Sequence, residues 1–157
     1  MAIRCARMTT GDAPAAIRLL KEFLSEDEFY LDSSAVYGDA GGGGVERAVE
    51  TFLMRPQLGF VWLAYVDGEP AGVCIVCYAI STSIGGIVAK LDDVYVAAPA
   101  RNRGVGKTML GTLADELRRA GVGRIDTAVH LKNADAARFY AALGYRPLHE
   151  ERLSLAL

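Results

Sequence analysis

Apolar residues recur along the chain with two periods, and these periods predict where the helices and strands lie. A short strand is predicted over residues 3–8, and polar residues at 10–12 then offer side-chain oxygens that can cap a helix. The next apolar positions have the helical spacing of three to four residues, at Ala13, Ile17, Leu20 and Leu24. A second short helix is predicted over residues 45–54, after four glycines at positions 41–44 that we expect to form a loop.

Longer apolar runs in the middle of the chain predict three consecutive strands, over residues 60–66, 71–80 and 87–96. Asp67 and Gly68 separate the first two strands, and Asp-Gly is a strong signal for a tight hairpin turn. The three strands should therefore form an antiparallel meander.

The last third of the chain predicts helices and strands in alternation. A helix over residues 104–120 presents a stripe of apolar side chains every four residues, and Gly121 ends it. Residues 125–131 alternate like a strand, Asn133 caps a helix that runs to about residue 143, and residues 145–157 suggest one or two closing strands around a turn near His149. The predicted order is β-α-α-β-β-β-α-β-α-β-β, a single α/β domain over residues 1–157 with one mixed sheet and helices on both faces.

Composition narrows the classes of function. The chain has 157 residues, 52% of them hydrophobic, and a net charge of -2, which gives no positive field for nucleic acid or an anionic membrane. The N-terminal residues lack the apolar core of a signal peptide, and no apolar run is long enough to cross a bilayer. We therefore expect a cytoplasmic protein with no nucleic-acid or membrane partner.

Three cysteines, Cys5, Cys74 and Cys77, suit reduced thiols. Cys74 and Cys77 form a C-x-x-C pair, but they lie within an apolar strand, where residues three apart point to opposite faces. Core packing is therefore the favoured interpretation over redox or metal chemistry, and we predict no metal site.

The segment from Arg101 to Lys107 carries the clearest chemical signal. A glycine-containing turn from a strand into a helix directs backbone N–H groups at an anion, and the helix dipole favours negative charge there. Arg101, Arg103 and Lys107 add cationic side chains. The segment does not match a P-loop, which requires glycine where Arg101 stands, or a dinucleotide fingerprint, which requires glycine or alanine where Met109 stands. A solvated, glycine-rich helix cap is the alternative.

Two motifs together resemble the GNAT N-acetyltransferase superfamily. Its acyl-CoA motif, Arg/Gln-x-x-Gly-x-Gly/Ala, is matched by Arg101, Gly104 and Gly106, and its second block, Asn-x-x-Ala-x-x-Phe-Tyr-x-x-x-Gly-Phe/Tyr, is matched over residues 133–145. The Leu-Asp-Asp-Val-Tyr-Val sequence at 91–96, followed by the first motif, is similar to the branch with spermidine/spermine and thialysine acetyltransferases.

The resemblance implies acetyl-CoA as the co-substrate, held in a V between two splayed strands, the one ending at Val96 and the one beginning at Ile125. Val94 and Val96 would offer backbone groups to the pantetheine arm, and Asn133 would contact that arm from the other side. The pyrophosphate would be bound by backbone amides of five residues, Arg103, Gly104, Val105, Gly106 and Lys107.

The resemblance also implies catalytic roles. Tyr140 stands where the family places its general acid, and Asp92 where it places the base, although the family often has glutamate there. Alternation sends Asp92 and Asp93 to opposite faces unless a bulge intervenes, so Asp92, Asp93 or a water relay stays open as the base, with Asp93 also a candidate for binding a cationic substrate. His130 is an alternative base and, equally, an ordinary polar residue at a strand end.

The acceptor is expected to be a primary amine of a small molecule, cationic if an acidic segment binds it. Glu28 and Tyr30 belong to an acidic, aromatic segment between the first two helices, which forms one wall of the acceptor pocket in this family, or else is a solvated loop. We predict direct attack of the amine in a ternary complex. Acetylation of protein N-termini or lysines, and acyl-CoA sensing without catalysis, are the alternatives. Relatives are often homodimers, so a homodimer is expected.

Overall fold

The structure, a computed structural model, describes residues 1–29 and 43–157. Tyr30, and Gly41 and Gly42 of the predicted glycine loop, lie outside the described residues. Within the described residues nine helices and strands follow one another, with two short 3-10 turns at Thr10–Asp12 and Ala98–Ala100. The strands are β1 (Ile3–Arg7), β2 (Gly59–Val66), β3 (Glu69–Ser81), β4 (Gly86–Val96) and β5 (Ile125–Thr127), and the helices are α1 (Ala13–Glu26), α2 (Gly44–Met54), α3 (Val105–Arg119) and α4 (Ala134–Ala142).

The five strands form one mixed sheet in the order β1-β2-β3-β4-β5. Neighbouring strands from β1 to β4 are antiparallel, and β5 joins β4 in parallel. Asp67 and Gly68 connect β2 to β3 with φ angles of 49° and 87°, the positive values that a two-residue hairpin of type I′ requires. The predicted meander and α/β fold class are therefore confirmed.

Two hydrophobic cores lie on opposite faces of the sheet. On one face α1 and α2 pack through residues such as Leu19 and Val49 against Val61 and Val73. On the other, α3 packs through Met109 and Leu113 against the reverse side of the same strands, and the indole of Trp62 donates to the carbonyl of Met109 at 3.1 Å. The prediction of helices on both faces is correct.

Cys74 is fully buried on the α3 face, whereas Cys77 packs on the α1 face. The two thiols of the C-x-x-C pair therefore point away from each other, as the strand period requires. All three cysteines are free.

The predicted closing strands are absent: residues 145–157, all of which the structure describes, form no strand. Leu153, Leu155 and Leu157 alternate as a strand would, but their side chains are 85%, 84% and 117% exposed. Alternation specifies a strand only when a neighbouring strand accepts its hydrogen bonds. β5, predicted to reach residue 131, has three residues and offers little edge to pair with.

A search of the described residues finds no helix long and apolar enough to cross a membrane.

Candidate active site

The candidate site begins where β4 and β5 part. The parallel pairing covers Ala89, Lys90 and Leu91 of β4 opposite residues 125–127 and then stops. At the last pair, the hydroxyl of Thr127 donates to the carbonyl of Leu91 at 2.9 Å. This carbonyl would accept a backbone N–H if the pairing of β4 with β5 continued, but here it accepts from a side chain. Beyond this point no residue of β4 pairs with β5, and the space between the two strand ends, called the cleft below, is where the resemblance implies that the thioester lies.

A β-bulge places two carboxylates at the edge of this cleft. Ile75 of β3 pairs with Asp92, and Val73 pairs with Tyr95, so β4 has one more residue than β3 between these pairs. Asp93 takes up the bulge with a φ of 51°, in the left-handed region that Asp tolerates better than most residues. After the bulge the alternation is reversed: Val94 faces α3 and Tyr95 faces α1.

The two aspartates have different surroundings. Asp92 forms an ion pair with Lys90, with Nζ and Oδ2 3.1 Å apart. Burial raises the pKa of Asp93 to about 6, with a further contribution from the charge of Asp92. Asp27 adds to this rise in the pKa, whereas Lys90 and Arg152 oppose it. A carboxylate with a raised pKa is a stronger base than an ordinary aspartate, so Asp93 is a candidate proton acceptor.

Tyr140 lies on the α3 side of the cleft. Its side chain is 8% exposed, and its ring contacts those of Phe139 and Tyr145 with centroids 5.3 Å and 5.2 Å away. Burial raises the pKa of Tyr140 well above its ordinary value, and a side-chain hydrogen bond with Thr127 opposes this only in part. The phenol therefore keeps its proton across the physiological range and can act as a donor.

The turn from β4 into α3 presents unpaired backbone amides. Within the described part of the chain, Thr108 N–H donates to the carbonyl of Gly104 at 3.0 Å, but the N–H groups of Val105, Gly106 and Lys107 have no acceptor. Asn102 and Gly104 turn the backbone with φ angles of 60° and 78°. Such an arrangement binds an anion, and it fits the diphosphate of CoA.

The two glycines of the turn have different roles. Gly104 is required for its positive φ, since a Cβ there would meet nothing within 4 Å. A Cβ on Gly106 would lie 3.3 Å from Cζ of Phe139, so this glycine lets α4 approach the start of α3. Gly106 thus helps to bring Tyr140, the next residue after Phe139, to the cleft.

The cationic side chains of the turn also differ from one another in their contacts. Arg103 and Lys107 are exposed and make no hydrogen bond or ion pair with any residue that the structure describes. Arg101 points instead toward α1: its Nε donates to the carbonyl of Val96 at 2.8 Å and its Nη2 donates to Oε2 of Glu26 at 2.8 Å. The Val96 carbonyl, predicted to face the pantetheine arm, therefore already has a donor.

An acidic cavity of about 260 Å³ lies between the end of α1 and the end of β4. It is lined by Phe23, Glu26, Asp27, Val94, Tyr95, Val96 and Arg101. Tyr95 donates to Oε2 of Glu22 at 3.3 Å, and burial together with the Glu26 carboxylate raises the pKa of Tyr95 to about 12. Glu28 is exposed and does not line this cavity, and Tyr30 lies outside the described residues.

Asn133 and His130 both have local partners. The side chain of Asn133 accepts a hydrogen bond from Ala136 N–H at 3.0 Å and so caps α4, as the sequence predicted. His130 lies past the end of β5, where its Nδ1 accepts from the N–H of Lys132 at 3.1 Å and its ring lies 4.8 Å from that of Phe29. This contact spans from the segment after α1 to the segment after β5.

Sequence reasoning missed two features of the site. Glu26 has no distinguishing signal in the sequence, because nothing local shows that it meets Arg101, 75 positions away. The hydroxyl of Thr127, which ends the β4–β5 ladder, had no signal beyond its place in a predicted strand. By contrast, the adjacent aspartates raised the possibility of a bulge without predicting one, since both could not be ordinary core residues.

The amides at the start of α3, which follow the strand whose pairing with β5 ends at Leu91, form a candidate anion-binding site. The chain belongs to the acetyltransferase (GNAT) family, whose model matches residues 17–145. The suspected superfamily is thereby confirmed.

Relatives include two eukaryotic enzymes. The chain is 31% identical over 84 residues to thialysine N-epsilon-acetyltransferase of Caenorhabditis elegans. The matched segment covers 54% of this chain and 52% of that protein. The chain is 33% identical over 63 residues to L-ornithine N5-acetyltransferase NATA1 of Arabidopsis thaliana, which covers 40% of this chain and 28% of that protein. The chain thus matches about half or less of the length of these relatives.

The fold has solved counterparts. The integron cassette protein HFX_CASS3 from the mobile metagenome of Cole Harbour Salt Marsh superimposes with a TM-score of 0.78 at 24% identity, over 98% of this chain and 90% of that one. At this identity the likeness supports the fold alone.

Proposed function

We propose that this protein is an acetyl-CoA-dependent N-acetyltransferase that modifies a primary amine of a small, cationic molecule. The observation that carries the proposal is the turn into α3, where three unpaired amides lie at the end of the strand that carries Asp93. Acetyl-CoA would supply the thioester as acyl donor. Arg103 and Lys107 would add side-chain charge to the amides that bind its diphosphate.

The acceptor amine must lose a proton before or during its attack on the thioester carbonyl. Asp93 is the better candidate for accepting that proton, because a carboxylate with a pKa of about 6 is a stronger base than an ordinary aspartate and is still ionised at pH 7. Asp92, the base implied by the resemblance, is paired with Lys90 and would act through its charge. This assigns proton transfer to Asp93 and electrostatic support to Asp92.

The leaving thiolate needs a proton as the carbon–sulfur bond breaks. Tyr140 is our candidate donor, because its buried hydroxyl stays protonated and lies on the α3 side of the cleft. An ordinary thiol has a pKa of about 8.5, so a phenol transfers its proton only as negative charge develops on the sulfur. In this scheme the amine attacks the thioester directly, Asp93 accepts its proton and Tyr140 protonates the leaving thiolate. The acetyl group is therefore never attached to the enzyme.

The acceptor is proposed to enter through the acidic cavity at the end of α1. Glu26, Asp27 and Asp93 supply carboxylates near its walls, which favours an ammonium group. The names of the two relatives describe acetylation of amino-acid side-chain amines, on thialysine and ornithine. We therefore propose diamines, polyamines and basic amino acids as the first acceptors to test.

The proposal is tested by a thiol-release assay with acetyl-CoA over a panel of polyamines, amino acids, aminoglycosides and peptides. We expect saturable release with at least one small basic amine and a much weaker response with peptides. If peptides are preferred, the acceptor is a protein and not a small molecule. If CoA binds saturably but no amine causes thiol release, the protein is an acyl-CoA sensor without acetyltransferase activity.

A further inference from the structure

The side chain of Arg101 joins the two halves of the cleft. Its guanidinium uses one edge to bond the last carbonyl of β4, at Val96, and another to bond Glu26 at the C-terminal end of α1. Its Cζ also lies 5.3 Å from the centroid of the Tyr95 ring. Nε and Nη2 are thus both engaged with protein groups and away from the unpaired amides of the turn into α3.

The contact with Arg101 also affects the carboxylate of Glu26. The hydrogen bond from Arg101 is the main reason that the pKa of Glu26 is lowered, so this carboxylate stays ionised. The hydroxyl of Tyr95 donates to Glu22, one turn earlier on α1. Phe23, one turn earlier on α1, packs edge-on against Tyr95 with ring centroids 6.1 Å apart. The last turn of α1, which lines the acidic cavity, is therefore fixed to β4 through Arg101 and Tyr95.

We propose that Arg101 is a positioning residue for the acceptor wall and that the diphosphate of the donor is bound without its side chain, by the amides of the turn together with Arg103 and Lys107. The inference rests on the proposed function for what the two sides of the cleft bind. It assigns the first residue of the Arg-x-x-Gly-x-Gly motif to the acceptor side, although the motif lies in the donor turn.

Three matched variants separate the roles of the cations. Arg101→Gln, Arg103→Gln and Lys107→Gln each remove one positive charge from the same seven-residue segment. In calorimetric titrations with CoA, we expect Arg103→Gln and Lys107→Gln each to weaken binding about fivefold to tenfold, as the loss of a charge-assisted contact does, and Arg101→Gln to weaken it by less than about twofold.

Hydrogen exchange provides a readout that does not depend on any ligand. Arg101→Gln should speed amide exchange in the last turn of α1, residues 22–27, and leave exchange in α3 unchanged. Glu26→Gln should speed exchange in the same turn, and the double variant should exceed either single variant only slightly, because both remove one interaction. Arg101→Lys, which keeps the charge but cannot bond Val96 and Glu26 as a fork, should lie between the wild type and Arg101→Gln.

With the amine identified by the thiol-release panel, Arg101→Gln and Glu26→Gln should raise the KM for the amine by a larger factor than the KM for acetyl-CoA. A loss of CoA affinity in Arg101→Gln as large as that in Arg103→Gln would overturn the inference, as would unchanged exchange over residues 22–27. Failure of the wild type to bind CoA would instead refute the proposed function, while the exchange data would still decide whether Arg101 fixes α1.

Discussion

The turn into α3 and the end of α1, the proposed donor and acceptor sides of the site, are built from different groups. The donor side uses consecutive backbone amides, at Val105, Gly106 and Lys107, whose direction follows from the start of a helix. The acceptor side uses side chains from separate elements, Glu26 on α1 and Asp93 at a bulge in β4. Local geometry specifies the first, whereas only the assembled fold creates the second.

This difference explains which ligand each proposed side of the site can distinguish. Amides at a helix start recognise the charge and spacing of phosphate, which all acyl-CoA donors share. Carboxylates placed by tertiary structure can change one residue at a time without disturbing the fold. We therefore expect the donor site to tolerate few substitutions and the acceptor site to determine which amine is used.

The largest expected effect is on the donor side. Tyr140→Phe removes the proposed proton donor and leaves the ring packed between Phe139 and Tyr145. We expect kcat to fall by about a hundredfold or more, in the range found for general acids, and the Kd for CoA to change by less than about twofold. Steady-state thiol release and calorimetry measure the two quantities, and an unchanged kcat would remove Tyr140 from the mechanism.

A slightly smaller effect should distinguish the two carboxylates. Asp93→Asn should lower kcat/KM by about thirtyfold to a hundredfold, because it removes the proton acceptor, whereas Asp92→Asn should cost less than about tenfold. In the wild type, kcat/KM should rise with pH through about 6 as Asp93 ionises, under the influence of Asp92, Asp27, Lys90 and Arg152. If Asp92→Asn proves the more damaging change, the base implied by the resemblance is correct and our assignment to Asp93 is wrong.

The same carboxylate should reduce stability. The pKa of Asp93 in the folded protein, about 6, exceeds its ordinary value of 3.8, so the folded state binds the proton more tightly than the unfolded state. The free energy of unfolding should therefore fall as pH rises from about 4 to 6, and the loss stays complete above that range. About two pKa units correspond to about 3 kcal/mol, so Asp93→Asn should be stabilised by about 2 kcal/mol at pH 8, after allowing for a buried amide.

Urea unfolding at pH 8 and at pH 4 checks this prediction, and the gain should nearly vanish at the lower pH. Asp92→Asn is the comparison variant and should gain less, because it removes the ion pair with Lys90 together with part of the repulsion on Asp93. An equal gain for Asp93→Asn at both values of pH would show that its carboxylate is not destabilising through its charge.

On the donor side, one substitution should affect stability through the backbone alone. Gly104→Ala puts a Cβ into open space but at a φ of 78°, which should cost about 1 kcal/mol of unfolding free energy. Gly111→Ala, within α3 and also in open space, is the matched control and should gain about 0.5–1 kcal/mol through helix propensity. Urea unfolding of the pair should give opposite signs, and a loss of stability in both would contradict this account of Gly104.

The smallest effect is expected at Cys77, whose thiol lies close enough to Asp92 and Asp93 for both charges to affect its pKa. Burial raises the pKa of its thiol, so at neutral pH it is a poor nucleophile. Cys77→Ala should keep kcat within about twofold in the thiol-release assay. A severe loss of activity, with the fold intact by circular dichroism, would point to an acetylated cysteine in place of direct attack.

Features set by neighbouring residues could be read from the sequence. The Asp67-Gly68 hairpin, the apolar stripe of α3 and the Asn133 cap are all decided within a few positions, and the structure has each of them. The anion-binding turn belongs with these, because its amides are unpaired by virtue of beginning a helix.

Features set by distant residues could not be predicted in the same way. Leucine alternation at 153–157 predicted a strand, but whether a strand forms depends on an edge that β5 barely provides. The contact between Arg101 and Glu26 had no signal in the sequence, because Glu26 lies on a helix 75 positions earlier. The sequence raised the choice between Asp92 and Asp93, but only the burial at the bulge distinguishes them.

The most direct test of the account is the binding of CoA at the turn into α3. Calorimetric titration of CoA should show saturable binding that weakens as salt rises, and the Arg103→Gln/Lys107→Gln double variant should bind at least about tenfold more weakly with a shallower salt dependence. If the wild type shows no saturable binding, or if the double variant binds CoA as tightly as the wild type, the turn is not the donor site.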